Sequence, residues 1–94
     1  MRYTKQEAFE ILLEKLGKSG FKNIMSNLVY QRSSEEVSVS VLESKHRISV
    51  IQRCHPIREG WSIKTFPCTV SGIKRAIRRA RSEAGLPIQR RKFD

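Results

Sequence analysis

The sequence predicts a small α+β domain in which an antiparallel sheet is covered on one face by two helices. Apolar residues at helical spacing occur near each end of the chain, and short segments that alternate apolar and polar residues lie between them. With 94 residues, the chain is long enough for one domain with one core. We expect residues 1–87 to form this domain in the order α-β-β-β-α, or with a fourth strand, and residues 88–94 to form a flexible basic tail.

The first helix is predicted over residues 4–16. Thr4 is placed as its N-cap, and Glu7 three residues later completes a capping box. Gly17 marks the end, because glycine is favoured just past the last turn of a helix. The apolar stripe that we expect to face the core consists of Phe9, Leu12, Leu13 and Leu16, with Ala8 beside it.

The segments between the helices have the pattern of β-strands. Residues 37–41 alternate valine and serine and give the clearest strand; residues 28–30, 47–53 and 61–66 are predicted to be the others. Period-two alternation then assigns the faces of the sheet. We expect the helices to cover the face that carries Val37, Val39, Val41, Ile48, Val50, Trp61 and Ile63. The opposite face is expected to carry Ser38, Ser40, Arg47, Ser49, Arg53, Ser62 and Lys64.

The second helix is predicted to follow Thr69 as its N-cap and to run to Ala84, where Gly85 and Pro87 stop it. Apart from one apolar stripe, this helix is strongly basic, with five cations in the eight residues from Lys74 to Arg81. The apolar stripe expected to pack on the sheet consists of Val70, Ile73, Ile77, Ala80 and Ala84.

The net charge of +10 is concentrated at the C-terminal end. Residues 69–94 contain eight cations and two anions, whereas residues 1–20 contain four and three. Clustered cations are the electrostatic footprint of a nucleic-acid binder, and the planar guanidinium of arginine pairs well with phosphate. We therefore expect a small, non-enzymatic protein that grips the phosphate backbone of double-stranded or structured DNA or RNA.

Three groups of cations are the candidate nucleic-acid-binding residues. An exposed sheet face without paired aromatic residues disfavours recognition of single strands by stacking. The groups are Lys74, Arg75, Arg78, Arg79 and Arg81 on the second helix, Arg47, Arg53 and Lys64 on the sheet, and Arg90, Arg91 and Lys92 in the tail.

Two other functions stay open from the sequence. One is a protein-interaction or regulatory module, of the kind found as a phage or mobile-element accessory protein, that docks on an acidic partner. The other is a nuclease with His46 or His55 as its base, although no motif accompanies either histidine. No catalytic residue, metal or cofactor is assigned, since Cys54 and Cys68 are not part of a CxxC pair.

Cytoplasmic residence is expected for this chain. The N-terminal residues are charged and lack the apolar run of a signal peptide, and no segment approaches the length of a transmembrane helix. Two cysteines do not make a disulfide framework, so reduced thiols are expected.

Parts of the sequence resemble three nucleic-acid-binding families. The α-β-β-β-α order with a basic second helix resembles double-stranded RNA-binding domains, although that helix starts as Thr69-Val70-Ser71-Gly72 and its basic pair, Lys74-Arg75, comes later. Residues 11–15 with Gly20-Phe21, and residues 77–86, resemble HicA-type RNA-cleaving toxins. Where those toxins carry a Gly-Ser-His catalytic element, residues 26–30 contain no histidine, which implies a ribonuclease without the usual motif. Residues 37–84 resemble the arm-binding domains of integrases, which read DNA with the exposed sheet face.

Overall fold

Two helices and five strands follow one another in the order α-β-β-β-β-β-α. The computed structural model describes residues 2–32, 35–42, 47–54 and 62–86. The predicted α+β class is confirmed, with five strands where the sequence predicts three or four, so the order also departs from that of double-stranded RNA-binding domains. The elements are α1 (Lys5–Gly17), β1 (Lys22–Ile24), β2 (Asn27–Arg32), β3 (Glu35–Leu42), β4 (Arg47–Cys54), β5 (Ser62–Pro67) and α2 (Val70–Glu83).

The predicted capping box starts α1. The Thr4 hydroxyl accepts a hydrogen bond from the backbone N–H of Glu7 at 3.1 Å, and the Glu7 carboxylate accepts one from the backbone N–H of Thr4 at 2.9 Å. Both bonds satisfy N–H groups that the first helical turn leaves without partners. Leu12 and Leu16 are fully buried, but Leu13 is 36% exposed, so its predicted place in the core is wrong. The side chains of adjacent helical residues point about 100° apart, so Leu12 and Leu13 do not both face the core, and Leu12 is the one that does.

A tight hairpin joins β1 to β2 through Met25 and Ser26. Both residues have positive φ, 51° and 68°, and the Asn23 carboxamide oxygen accepts a hydrogen bond from the backbone N–H of Ser26 at 3.2 Å. Two-residue hairpins with two positive φ angles normally use Asn-Gly or a similar pair. Because Met-Ser gives no such signal, the sequence does not predict β1.

The five strands form one antiparallel sheet in chain order, so β1 and β5 are its edges. Both helices pack on the same face, α1 over β1–β3 and α2 over β3–β5. The register places Leu28, Val39 and Val50 side by side across three strands, and all three are buried. The core consists of Ala8, Leu12, Leu16, Phe21, Leu28, Val37, Val39, Val41, Ile48, Val50, Cys68, Ile73, Ala76, Ala80 and Ala84.

The predicted faces of β5 are wrong. Lys64 pairs with Val50 and Phe66 pairs with Ile48, so both lie on the helix-covered face, whereas Ile63 pairs with Ile51 on the open face and is 52% exposed. Phe66 packs against the core, and this larger apolar contact decides which way the strand faces. Trp61, predicted beside Ile63, lies outside the described residues.

The ends of α2 are capped as predicted. The Thr69 hydroxyl accepts a hydrogen bond from the backbone N–H of Gly72 at 3.1 Å. At the other end Gly85 has φ 75° and its N–H bonds the Ser82 carbonyl, while the Leu86 N–H bonds the Arg81 carbonyl, which is a Schellman motif. Val70 is 46% exposed, so its predicted burial is wrong, while Ile73, Ala76, Ala80 and Ala84 are buried.

The two helices run side by side in the same direction. The backbone N–H of Tyr3, just before α1, donates to the carbonyl of Cys68, just before α2, at 2.8 Å, and Arg2 forms an isolated bridge with Thr69. At the opposite ends the Arg81 guanidinium donates to the hydroxyl of Ser19, which follows α1. These links fix both helices against each other as well as against the sheet.

Candidate nucleic-acid interface

An open groove of about 480 Å³ lies between α2 and the edge strand β5. We call it the α2–β5 groove. Four of the side chains that line it are cationic, and they come from two surfaces that the sequence predicts to be separate. The groove is lined by Lys64, Thr65 and Phe66 from β5 and by Arg75, Arg78, Arg79 and Ser82 from α2.

Small residues on α2 bring its basic side close to the sheet. Ala76 and Ala80 are fully buried, and Gly72 packs so closely that a Cβ atom there would lie 2.0 Å from the carbonyl oxygen of Pro67. Residues three and four apart share one side of a helix, so Arg75 and Arg79 both flank this buried stripe on the side of β5. The tight packing therefore decides where the cations of the groove stand.

Arg75 is held against the wall of the groove by an aromatic ring. Its guanidinium carbon lies 5.8 Å from the centroid of the Phe66 ring, which is half-buried. A cation over an aromatic face at this distance is attracted by about 0.5–1 kcal/mol at an exposed site. Phe66 therefore anchors β5 in the core and also orients Arg75.

Arg79 is already paired within the helix. Its guanidinium lies 2.7 Å from the carboxylate of Glu83, whose side chain is only 9% exposed. The Gln52 side-chain amide, on β4, donates both to the backbone carbonyl of Glu83 at 3.2 Å and to the carboxylate of Glu35 at 3.1 Å. The last turn of α2 is thus tied to the sheet, and part of the positive charge of Arg79 is neutralised.

The other two cations of α2 point elsewhere than the groove floor. Arg81 is half-buried and donates to Ser19, so it serves the contact between α2 and the end of α1. Lys74 is exposed and does not line the groove. The run of five cations that looks uniform in the sequence is therefore divided among two sides of the helix.

The open face of the sheet holds less positive charge than the sequence predicts. Arg47 lies there, and its guanidinium donates to the hydroxyl of Thr65 at 3.2 Å and to the carbonyl of the same residue at 3.3 Å. Lys64, predicted on this face, belongs to the α2–β5 groove instead. The side chain of Arg53 lies outside the described part of the structure, as do His46, His55, Arg90, Arg91 and Lys92.

One side of α1 is acidic and therefore opposite in sign to the α2–β5 groove. A second, shallower groove of about 350 Å³ is lined by three carboxylates together with Tyr3 and Ile11. The Glu7 carboxylate serves the capping box, and that of Glu10 accepts a hydrogen bond from the Gln6 side-chain amide at 2.9 Å. The carboxylates are those of Glu7, Glu10 and Glu14.

Cys68 is a structural residue of the core. Burial raises the pKa of its thiol, and the positive charges of Arg2 and Arg47 oppose this only in part. A buried, protonated thiol is neither a nucleophile nor a metal ligand. Within residues 2–32, 35–42, 47–54 and 62–86, no three His, Cys, Asp or Glu side chains come together in a way that could hold a metal ion.

Comparison with protein-family models, with curated proteins and with solved structures gives no match for this chain. In the described part of the chain, neither helix has the length and apolar character needed to cross a membrane. The function of the α2–β5 groove is therefore inferred from its geometry and charge.

Proposed function

We propose that the protein binds nucleic acid without catalysing a reaction, and that the α2–β5 groove contacts the phosphate backbone of a duplex or a structured strand. The observation that carries this proposal is the convergence of four cationic side chains on one open groove. Glu83 is the sole anion between residues 60 and 93, and it is paired with Arg79. The four cations are Lys64, Arg75, Arg78 and Arg79.

A phosphate backbone relieves the repulsion among these cations. Arg75 and Arg79 are four residues apart, which is about 6 Å along a helix, so the groove presents a row of charges that a backbone can follow. Each neutralised phosphate releases condensed counterions, and the logarithm of the binding constant falls by about 0.9 per phosphate for each tenfold rise in salt. If three of the four groove cations each contact one phosphate, affinity is predicted to fall about 40-fold between about 50 and 200 mM salt.

The described part of the open sheet face favours a duplex over a single strand. Proteins that bind single strands without sequence preference stack bases on exposed aromatic side chains. The apolar residues in the middle of this face are Val29, Ile51 and Ile63, and Phe66 lies on the other face beneath Arg75. Backbone contacts from the groove do not need unstacked bases, so a duplex or hairpin satisfies them.

The test is the affinity for duplex DNA, duplex RNA and a single strand, measured by fluorescence anisotropy at low and moderate salt. Arg75→Ala with Arg78→Ala removes two of the groove cations, and we expect at least about a tenfold loss of affinity and a shallower salt dependence. Lys15→Ala with Lys18→Ala removes the same charge from exposed positions at the end of α1 and should change affinity by less than about twofold.

Two results would overturn the proposal. One is an absence of binding to any duplex or hairpin at low salt. The other is an equal loss of affinity in the Arg75/Arg78 and Lys15/Lys18 double variants, since binding would then depend on net charge and not on the groove.

A second candidate function is docking on an acidic protein, and the position of β5 favours it. β5 is an edge of the described sheet and also forms one wall of the groove. An extended acidic segment could add to this edge while its carboxylates reach the arginines. A partner that remains bound after nuclease treatment would favour this function. For the ribonuclease alternative, His46 and His55 lie outside the described residues and give no geometry to support it.

A further inference from the structure

Cationic side chains stand on both sides of the edge strand β5. The register places Lys64 and Phe66 on the helix-covered face, where Arg75 lies against the Phe66 ring. Arg47 comes from β4 on the open face and reaches diagonally over β5 to Thr65, which also lines the α2–β5 groove. The four cations of the groove are thus joined by a fifth from the other side of the strand.

The guanidinium of Arg47 is held in position and still has donors to offer. Its Nε donates to the Thr65 hydroxyl at 3.2 Å, and its Nη2 donates to the Thr65 carbonyl at 3.3 Å. A guanidinium has five N–H donors in a planar fork, so these two bonds leave three that they do not use. Because the side chain is already oriented, it loses little conformational freedom when it binds an anion.

We propose that β5 enters the major groove of B-form DNA edgewise, with one phosphate backbone in the α2–β5 groove and the other backbone against Arg47. This rests on the proposed function and names the partner of the groove as a DNA duplex. In the described sheet β5 has a neighbouring strand only on its β4 side, so its outer edge is open to the base edges of a duplex.

The spacing of the two sets of cations fits a wide groove. Packed layers of secondary structure lie about 8–10 Å apart, so a phosphate held between α2 and β5 lies roughly 5 Å from the plane of the sheet. Side chains stand roughly perpendicular to a sheet, so a phosphate bound by Arg47 lies about as far from that plane on the other side. The two backbones are then separated by roughly 10–12 Å.

Width and depth together distinguish DNA from RNA. The major groove of B-DNA is about 12 Å wide and about 8.5 Å deep, whereas its minor groove is only about 6 Å wide. In A-form RNA the deep groove is too narrow for side chains, and the wide groove is too shallow for an edge to lie between its two backbones. Of these four grooves, only the major groove of B-DNA is both wide and deep enough for β5.

The exposed side chain of Ile63 fits this position. Ile63 is two residues before Thr65 on β5, so the two share a face, and it is 52% exposed. The C5-methyl group of thymine lies in the major groove, where apolar side chains contact it. Ile63 is therefore expected to contact base edges, while the cations on both sides of β5 bind the backbones.

The first experiment measures the affinity of the protein for one sequence as a DNA duplex and as an RNA duplex, by fluorescence anisotropy. We expect the DNA duplex to be bound at least about tenfold more tightly. Arg47→Ala should lower the affinity for DNA about five- to tenfold. Lys22→Ala removes the same charge from an exposed position on the same face, at the opposite edge strand β1. This matched control should change affinity by less than about twofold.

Methylation of the bound DNA by dimethyl sulfate identifies the groove with the wild-type protein alone, whether or not the Arg47 variant folds. Guanine N7 lies in the major groove and adenine N3 in the minor groove, so we expect protection of N7 and not of N3. Protection of N3 or of neither atom overturns this placement of β5, as do equal affinities for the two duplexes or equal effects of the Arg47 and Lys22 variants. If Arg75→Ala with Arg78→Ala still weakens binding in those cases, the proposed function stands and only the placement of β5 fails.

Discussion

The two helices differ little in how they are built and greatly in the charge they present. α1 has 13 residues and α2 has 14, each follows a threonine N-cap, and each packs one apolar side on the same face of the sheet. The outer side of α1 mixes glutamates with lysines, as solvated helices usually do. The outer side of α2 has five cations and one anion. Arg79 and Arg81 have partners within the fold, in Glu83 and Ser19, so the fold explains only part of the excess of positive charge on α2.

The most damaging substitution is expected where α2 meets β5. Gly72→Ala would place a methyl group 2.0 Å from the Pro67 carbonyl oxygen, so the helix must move away from the strand. We expect a loss of about 3 kcal/mol or more in the free energy of unfolding, measured by urea denaturation. At Gly17, the last residue of α1, an added methyl group would meet no atom within 4 Å, and Gly17→Ala should be neutral or stabilising by up to about 1 kcal/mol. Equal losses in the two variants would show that close approach does not position α2.

Replacing one carboxylate on each helix compares the roles of the two helices in nucleic-acid binding. Glu83→Gln frees Arg79 from its partner at 2.7 Å and should raise the affinity for duplex DNA about two- to fourfold in anisotropy titrations at moderate salt. It should also cost about 0.5–1 kcal/mol of stability, since the pair is partly buried. Glu14→Gln makes the same change in charge on α1, away from the groove, and should alter affinity by less than about 1.5-fold. An unchanged or lower affinity of the Glu83 variant would contradict a phosphate-binding role for Arg79.

The smallest effect concerns the thiol that precedes α2. Because burial raises the pKa of Cys68 above that of an unfolded cysteine, the folded state holds this proton more tightly. The stabilising contribution is complete below a pH of about 8.5, the unfolded pKa, and is lost as the pH rises from there through the folded pKa. Denaturation curves of the wild type and Cys68→Ala at pH 7–10 should differ in slope by less than about 1.4 kcal/mol per pH unit. Identical slopes would show that the thiol titrates alike in both states.

Most elements of the fold follow from local sequence signals. Thr4 with Glu7 and Thr69 with Gly85 mark helix ends because the groups that cap a helix lie within a few residues of one another. The β1–β2 hairpin is missed because Met25 and Ser26 adopt a turn that their residue types disfavour. The turn is closed by the Asn23 carboxamide oxygen, which accepts a hydrogen bond from the backbone N–H of Ser26, and no turn-forming residue pair marks it in the sequence.

The candidate site can be predicted only in part. The cations of α2 are visible as a run of charge, but their division depends on the partners that folding gives them, such as Ser19 for Arg81. Lys64 lines the groove because of the register of β5, and the packing of Phe66 against the core sets that register. Period-two alternation by itself predicts that Ile63, and not Phe66, packs against the core. The residues of β5 alone do not indicate that Phe66 takes this position.

The backbone link between Tyr3 and Cys68 has a consequence for the order in which the chain can fold. Neighbouring strands of the meander pair through short connections and can form early, since contacts close in sequence cost little loop entropy. A helix of 13 residues is marginal in water by itself, so α1 depends on the sheet for its stability. The contacts that fix the position of the first end of α1 in the fold must also wait for residues 68 and 69. During synthesis the first helix is therefore made long before its position is secured, and its docking is completed together with that of α2.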